Sequence, residues 1–187
     1  MSLGRIVYRE KAMPATEIDL KPVAHITTDA IGPPGKRVFY IQGWQGERTV
    51  TLIVEKIQIQ SLAVGLEQFL SEISSQNAGL QDASGEYDEE KMRINPPVDP
   101  LFRVGEIGLG YDAENDLIVL VAKELVLEGQ DPDDTSVVRF WCTREQIRAM
   151  CHWGMEVASH GRAICPQCGQ PMDPEGHFCP KRNGHKH

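Results

Sequence analysis

Cysteine and histidine residues near the C-terminus restrict how the last part of this 187-residue chain can fold. They are Cys165, Cys168, His177, Cys179 and His185. Two cysteines separated by two residues, the second followed by a glycine, can turn as a knuckle that directs both sulfur atoms at one cation. Further soft ligands about ten residues later can complete a tetrahedron, the geometry of structural zinc sites. Residues 162–187 are therefore predicted to form a zinc-binding tail with a zinc-ribbon-like knuckle.

The three cysteines would supply three ligands, and the fourth is either His177 or His185. His177 lies close to Cys179, although residues one apart reach the same ion only if the backbone turns between them. Three thiolates and one imidazole fill the metal shell, whereas a catalytic zinc keeps one position open for water. We therefore expect a structural zinc ion, on which the folding of so short a segment depends. The alternative is that the thiols are reduced and bind nothing.

The composition is typical of a globular protein, with 41% hydrophobic and 25% charged residues. The length suits one domain of about 150 residues with an appendage. No window approaches the roughly 18 apolar residues that cross a bilayer, and the first residues form no apolar leader. An odd number of cysteines, five, fits metal binding in a reducing compartment better than disulfides. We expect a cytoplasmic protein without membrane contact.

The net charge of −8 is unevenly distributed, because the tail is net basic and the body carries the acidic excess. Non-specific binding of duplex nucleic acid depends on the neutralisation of phosphates by Lys and Arg. An acidic body therefore argues against nucleic acid as a partner. Lys181, Arg182 and Lys186 in the tail leave a weaker nucleic-acid contact as an alternative.

The first half of the chain is predicted to form strands followed by one helix. A strand is expected at 4–9, a connecting loop at 10–22, a strand at 23–29, and a hairpin from 38–42 and 49–55. From Ile59 the apolar residues follow the i, i+3, i+4, i+7 spacing of an amphipathic helix, which fades by about Ser75.

The second half repeats this order after a polar and acidic stretch. Residues 76–100 are predicted to be a mobile acidic linker. Residues 102–111 and 117–127 are expected to form a hairpin, followed by a strand at 136–141. Thr143 and Gln146 form a capping box that opens a second amphipathic helix.

Each half thus has three strands and a helix, and the predicted fold class is α+β. We expect mostly antiparallel sheet from two β-β-β-α units, with both amphipathic helices on one face. The body would span 1–161, with units at 23–75 and 101–160. An internal duplication explains this rhythm, and so does the general tendency of α+β proteins to alternate in this way.

Other chemistry-bearing residues favour structural roles. Cys151 lies on the apolar face of the second helix, so we expect it in the core rather than as a nucleophile. Gly105, Gly108 and Gly110 fall inside strand-like sequence with no helix opening after them, which argues against a phosphate loop. The acidic turn at 131–134 is expected to be solvated rather than to hold a hard cation.

Two segments resemble a known bacterial family. The tail pattern Cys-Pro-x-Cys-Gly-x-Pro-x-Asp-Pro-x-Gly-His-x-Cys-Pro and the segment at 32–42, continued to Lys56, are similar to Domain of Unknown Function 3090. The resemblance covers most of the chain and implies that His177 rather than His185 belongs to the tail pattern. It implies no activity, substrate or catalytic residue.

The leading functional hypothesis is a non-enzymatic module that contacts a partner protein or a second copy of itself, with zinc as a structural cofactor. The alternative is an enzyme with its site in the α+β body. A small phosphorylated metabolite is its expected substrate. The resemblance also implies genes that lie near a phosphomutase-like histidine phosphatase and a lipid-kinase-like protein, which indicates a shared pathway and no more.

Overall fold

The computed structural model describes residues 15–131, 134–172, 177 and 179–181. The strand predicted at 4–9 lies outside them. The elements, in chain order, are β1 (Glu17–Leu20), β2 (His25–Ile31), β3 (Val38–Gln45), β4 (Arg48–Val54), α1 (Lys56–Gln76), β5 (Pro100–Asp112), β6 (Leu117–Glu124), β7 (Val137–Cys142) and α2 (Arg144–Ser159). The mixed α+β class with two helices is confirmed.

All the strands belong to one seven-stranded sheet in the order β1-β7-β6-β5-β4-β3-β2. The strands β2–β3–β4 and β5–β6–β7 are two antiparallel meanders. They join through a parallel pairing of β4 with β5, and β1 adds to β7 in parallel. The sheet is therefore mostly antiparallel, as the hairpin patterns predict.

The sheet curls so that its two edges approach each other. A methyl group placed on Gly43 of β3 would lie 2.7 Å from the ring of Phe140 in β7, so these strands face each other across the interior. The segment between β1 and β2 bridges the remaining gap: the Val23 amide donates to the Trp141 carbonyl at 2.9 Å and the Ala24 amide donates to the Trp44 carbonyl at 2.7 Å. The result is an incompletely closed barrel with one hydrophobic core.

Both helices pack on the inner face of this sheet and against each other. Gly154 marks the closest approach, because a methyl group there would lie 2.7 Å from Ile59 of α1 and from Thr28 of β2. Helix α2 begins with the predicted capping box, in which the Thr143 hydroxyl accepts from the Gln146 amide. The prediction that both helices cover one face agrees with this packing.

Residues 77–99 cross the outer face of β2–β3–β4. Gln42, which has no exposed surface, accepts a hydrogen bond from the Asn95 amide at 2.8 Å and donates one to the Asn95 carbonyl at 3.0 Å. The buried Thr27 hydroxyl donates to the Met92 carbonyl. Buried polar groups need partners, and here the crossing backbone supplies them. The expectation of a mobile linker is therefore wrong: this segment is a packed layer of the body.

The prediction of a connecting loop over 10–22 is also wrong in part, because residues 17–20 form β1. Four residues are too few to show a periodic pattern. Strand β7 stabilises the short strand: the Arg139 guanidinium lies 3.0 Å from the Glu17 carboxylate and 3.4 Å from that of Asp19. The edge strand is thus specified by its neighbour.

The element order after β1 is β-β-β-α in both halves. Whether this order reflects duplication stays a prediction, as does the division into a body and a tail. Neither described helix combines the length and apolar character that a membrane crossing requires.

Candidate metal centre

The described part of the tail begins with a tight turn. The Cys165 amide donates to the Gln170 carbonyl and the Gly169 amide donates to the Cys165 carbonyl, both at 2.9 Å. Gly169 has φ +73°, a left-handed conformation that glycine adopts at little cost. An isolated antiparallel bridge between Ile164 and Pro171 closes the base of the turn. This geometry is that of a knuckle, with the two cysteines on its rim.

The turn and the residues that follow it bring four side chains together. The ligand atoms of Cys165, Cys168, His177 and Cys179 all lie within 4.8 Å of one another. The sulfur atoms of Cys165 and Cys179 are 4.0 Å apart, and His177 Nε2 is 3.3 Å from the Cys168 sulfur. In the part of the chain that the structure describes, this is the one cluster of His, Cys, Asp or Glu residues able to hold a metal ion.

These distances fit a tetrahedral zinc site. Ligands about 2.1–2.3 Å from an ion place sulfur atoms about 3.8 Å apart and a sulfur and a nitrogen about 3.6 Å apart. The observed separations are close to both values. The thiols are free rather than joined in a disulfide, so each is available as a ligand. Cys165 and Cys179 are buried, which shields an ion from solvent on that side.

The surroundings of the thiols favour ionisation of one of them. Hydrogen bonds from the backbone amides of Cys168 and Gln167 lower the pKa of the Cys165 thiol to about 6. At Cys168 the amide of Gln170 lowers the pKa, but burial and the neighbouring sulfur atoms outweigh it and raise the pKa of this thiol. A thiolate is the metal-binding form, so the lowered pKa favours the form of Cys165 that can bind a metal.

The other cysteines are unsuited to chemistry. Burial raises the pKa of Cys151 to about 12 and also raises the pKa of Cys142. Both side chains lie in the hydrophobic core. The expectation that Cys151 is a core residue is confirmed.

The glycines of β5 are also structural. Gly105 lies where the register between β5 and β6 shifts, and a methyl group there would lie 2.8 Å from the Leu125 Cα. This close backbone approach explains why a residue without a side chain occupies the position. Gly108 and Gly110 lie in the same strand, as predicted.

The comparison with protein families decides what the chain is related to. The model described as "Protein of unknown function (DUF3090)" matches residues 18–179, from β1 to the last cysteine of the cluster. The chain belongs to this family. DUF3090 membership thus covers the sheet, both helices and the metal ligands together, and agrees with the resemblance in the two sequence segments. Comparisons with curated proteins and with solved structures gave no match.

Some predicted residues fall outside the described part of the chain. In the tail they are His185, the alternative fourth ligand, with Arg182 and Lys186, and in the acidic turn at 131–134 Asp133 is among them. His177 lies in one cluster with the three cysteines, and the choice of His177 over His185 as the fourth ligand stays a prediction. Local spacing selected the three cysteines, whereas the choice of His177 also depended on the family resemblance. The Ile164–Pro171 bridge that holds the knuckle had no signal in the sequence.

Proposed function

We propose that this protein binds one structural zinc ion per chain through Cys165, Cys168, His177 and Cys179. The convergence of the four ligand atoms within 4.8 Å carries the proposal. Three sulfur atoms and one imidazole nitrogen are a donor set suited to zinc, since thiolates are poor partners for magnesium or calcium. The fold of the tail would then be a zinc-ribbon-like knuckle.

A structural role follows from the chemistry of these ligands. Once bound, the ion would act as a cross-link, and four protein ligands leave no position for a reacting water. In the described part of the tail, Ile164 is 58% exposed and contributes little to the core. An ion bound by all four side chains would join Cys165 and Cys168 to His177 and Cys179, which follow later in the chain.

The test is metal analysis of the purified protein together with single-ligand variants. We expect about one zinc per chain in the natural protein. Cys179→Ser removes a buried thiolate and should weaken zinc binding by at least about 100-fold, since even a lost outer partner weakens it 10- to 100-fold. His177→Ala should weaken binding measurably, and His185→Ala, the matched control, should leave it unchanged.

Competition with a chromophoric chelator gives the affinity of each variant. Unchanged zinc content in both Cys179→Ser and His177→Ala would contradict the ligand assignment. Loss in His185→Ala with retention in His177→Ala would instead assign the fourth position to His185.

We further propose that the DUF3090 chain acts as a non-enzymatic interaction module in the cytoplasm. The supporting feature is an apolar groove of about 520 Å³ between α1 and β5, lined by Leu62, Phe69, Ile107 and Leu109. Ile57, at its rim, is 65% exposed. A second copy of the chain or another protein would bury this surface, and the molecular mass in solution separates the two. Free thiols throughout the chain support a reducing compartment.

A further inference from the structure

A second cavity, of about 420 Å³, lies where the body meets the tail. Its walls come from the β2–β3 turn, the first turn of α1, the end of α2 and the start of the tail. They include the charged residues Arg37, Lys56 and Arg162 together with Gln60, Ser159 and Ile164. None of the described residues that line it is a carboxylate, although Asp and Glu outnumber Lys and Arg in the chain by 27 to 19. The cavity is thus a cationic site on an acidic protein.

A glycine makes room for one of these cations. A methyl group on Gly35, which has φ +86°, would lie 3.0 Å from Cδ and 3.2 Å from Nε of Arg162. A methyl group on Gly161 would lie 3.6 Å from the Lys56 ammonium, an ordinary contact distance, so the Lys56 ammonium lies beside the end of α2. The absence of a side chain at Gly35 leaves space for Arg162 at the cavity wall.

Arg37 is oriented by its neighbours. Its guanidinium donates to the Val157 carbonyl at 3.1 Å and lies 5.5 Å from the centre of the Phe39 ring. A guanidinium has five N–H donors, so one such bond leaves others for a ligand. Among the described residues, no carboxylate lies within 4.0 Å of the charged groups of Arg37 or Lys56. Within the described part of the chain, the positive charges of Arg37 and Lys56 are therefore not neutralised by an ion pair.

The end of α2 does not account for this charge. A helix C-terminus carries about half a negative charge, which one cation neutralises. Arg37 already contacts the last turn of α2 through Val157. Glu55 directly precedes Lys56 in the sequence. It is engaged elsewhere, because it pairs with Arg103 and is the N-cap residue of α1. Lys56 adds positive charge beyond what the helix end requires.

We propose that this cavity binds a small organic anion that carries a phosphate group. Phosphate offers several strong acceptor oxygens and up to two negative charges, which match a guanidinium fork and an ammonium group. The volume lies in the range of small-molecule pockets, so the site holds more than an inorganic ion. Ile164 and Pro171 give the site a wall from the tail, next to the knuckle.

The experiment is calorimetric titration of the zinc-loaded protein with phosphate, pyrophosphate and glycerol 1-phosphate at constant ionic strength. We expect saturable binding, tightest for a ligand larger than inorganic phosphate. Lys56→Gln should weaken it about 10-fold or more, the usual effect of losing a charge-assisted hydrogen bond. Gln60→Glu, which adds a carboxylate on the cavity wall, should abolish it.

The matched control is Arg48→Gln, which removes one positive charge at the far end of the β3–β4 hairpin and should leave binding unchanged. Cys179→Ser should also weaken anion binding, because the metal-held tail forms one wall of the cavity. Unchanged anion binding in this variant would refute the contribution of the tail to the site. No saturable binding of any of the three anions overturns the proposal. So does an equal loss in Arg48→Gln and Lys56→Gln.

Measuring the zinc content of each variant distinguishes a failure of the anion proposal from a failure of the zinc proposal. Lys56→Gln and Gln60→Glu leave the four ligands intact and should retain one zinc. Loss of stability in Lys56→Gln without any anion binding by the natural protein would show that the cations only stabilise the end of α2.

Discussion

Gly154 is the residue on which the packing of α2 depends most directly. It has no side chain where α2 crosses both α1 and β2, and Ile59 and Thr28 fill the space that a methyl group would need. Gly65, within α1, is a matched comparison, because nothing lies within 4 Å of the point where a methyl group on Gly65 would be. The same substitution is therefore expected to have opposite effects at the two sites.

We predict that Gly154→Ala lowers the free energy of unfolding by about 1–3 kcal/mol, the usual cost of overpacking a core. Gly65→Ala should be neutral or raise it by up to about 1 kcal/mol, since Ala is a better helix former. Urea denaturation of both variants measures this. Equal effects at the two sites would show that the helices are not in close contact at Gly154.

At the scale of elements, Arg144 ties α2 to the rest of the body. Its side chain is 8% exposed at the first residue of the helix, where the helix dipole disfavours a cation. Asp116, in the turn between β5 and β6, compensates with two hydrogen bonds of 2.9 Å and 3.1 Å. The Gln81 carbonyl accepts a third at 2.8 Å, so the crossing segment is held at the same point.

This arrangement makes stability depend on pH. The hydrogen bonds from Arg144 lower the pKa of Asp116 below its ordinary 3.8. A lowered pKa in the folded state contributes stability that is fully present above the ordinary pKa and is lost as the pH falls through the lowered one. We predict that Asp116→Asn lowers the free energy of unfolding at pH 7 by about 1 kcal/mol, a modest value because Asp116 is 46% exposed.

The difference between the natural protein and Asp116→Asn should shrink as the pH falls below about 4. Urea unfolding at a series of pH values checks this. Asp99→Asn removes the same charge from an exposed position and should show no such trend. A difference independent of pH would mean that the ion pair does not set the pKa of Asp116.

The crossing segment at 77–99 supplies hydrogen-bond partners to buried polar side chains of the sheet. Strands β2 and β3 carry buried polar side chains, among them Thr27 and Gln42, on the outer face of the sheet. Such residues would be costly in a buried layer without partners. The polar, proline-containing segment supplies backbone groups in register with them, which is why it stays against the sheet.

At the scale of the whole molecule, two recesses of the described surface differ in character. The groove between α1 and β5 is apolar, whereas the cavity at the tail is cationic. The second recess forms because β3 pairs with β4, which leads into α1, and α2 packs on β2, so the β2–β3 turn lies near the start of α1 and the end of α2. We propose a macromolecule as the ligand of the first and a small anion as the ligand of the second.

Self-association through the groove is tested by sedimentation over a range of concentrations. If a second copy covers the groove, the natural protein should form a dimer that Ile57→Glu returns to monomer, since a charge in an apolar interface is poorly tolerated. Ile57 is 65% exposed at the rim of the groove, so folding should not suffer. Met155→Glu, on the exposed side of α2, is the control. A monomer at every concentration excludes a second copy as the partner.

Local patterns in the sequence determined the features that short-range physics controls. Periodicity located α1, a capping box located the start of α2, and turn residues located the hairpins. The metal cluster was also local, since the spacing of Cys165, Cys168, His177 and Cys179 allows them to converge within a single turn-rich segment.

Only the tertiary structure decided the rest. Strand β1 exists because β7 offers an edge, and the acidic segment at 77–99 is packed because buried side chains of β2 and β3 need its backbone. Arg37, Lys56 and Arg162 are far apart in the chain and share no pattern, so nothing local predicts their cavity. The physical reason is common to all three cases: the partner lies far away in sequence, and only the assembled fold brings it near.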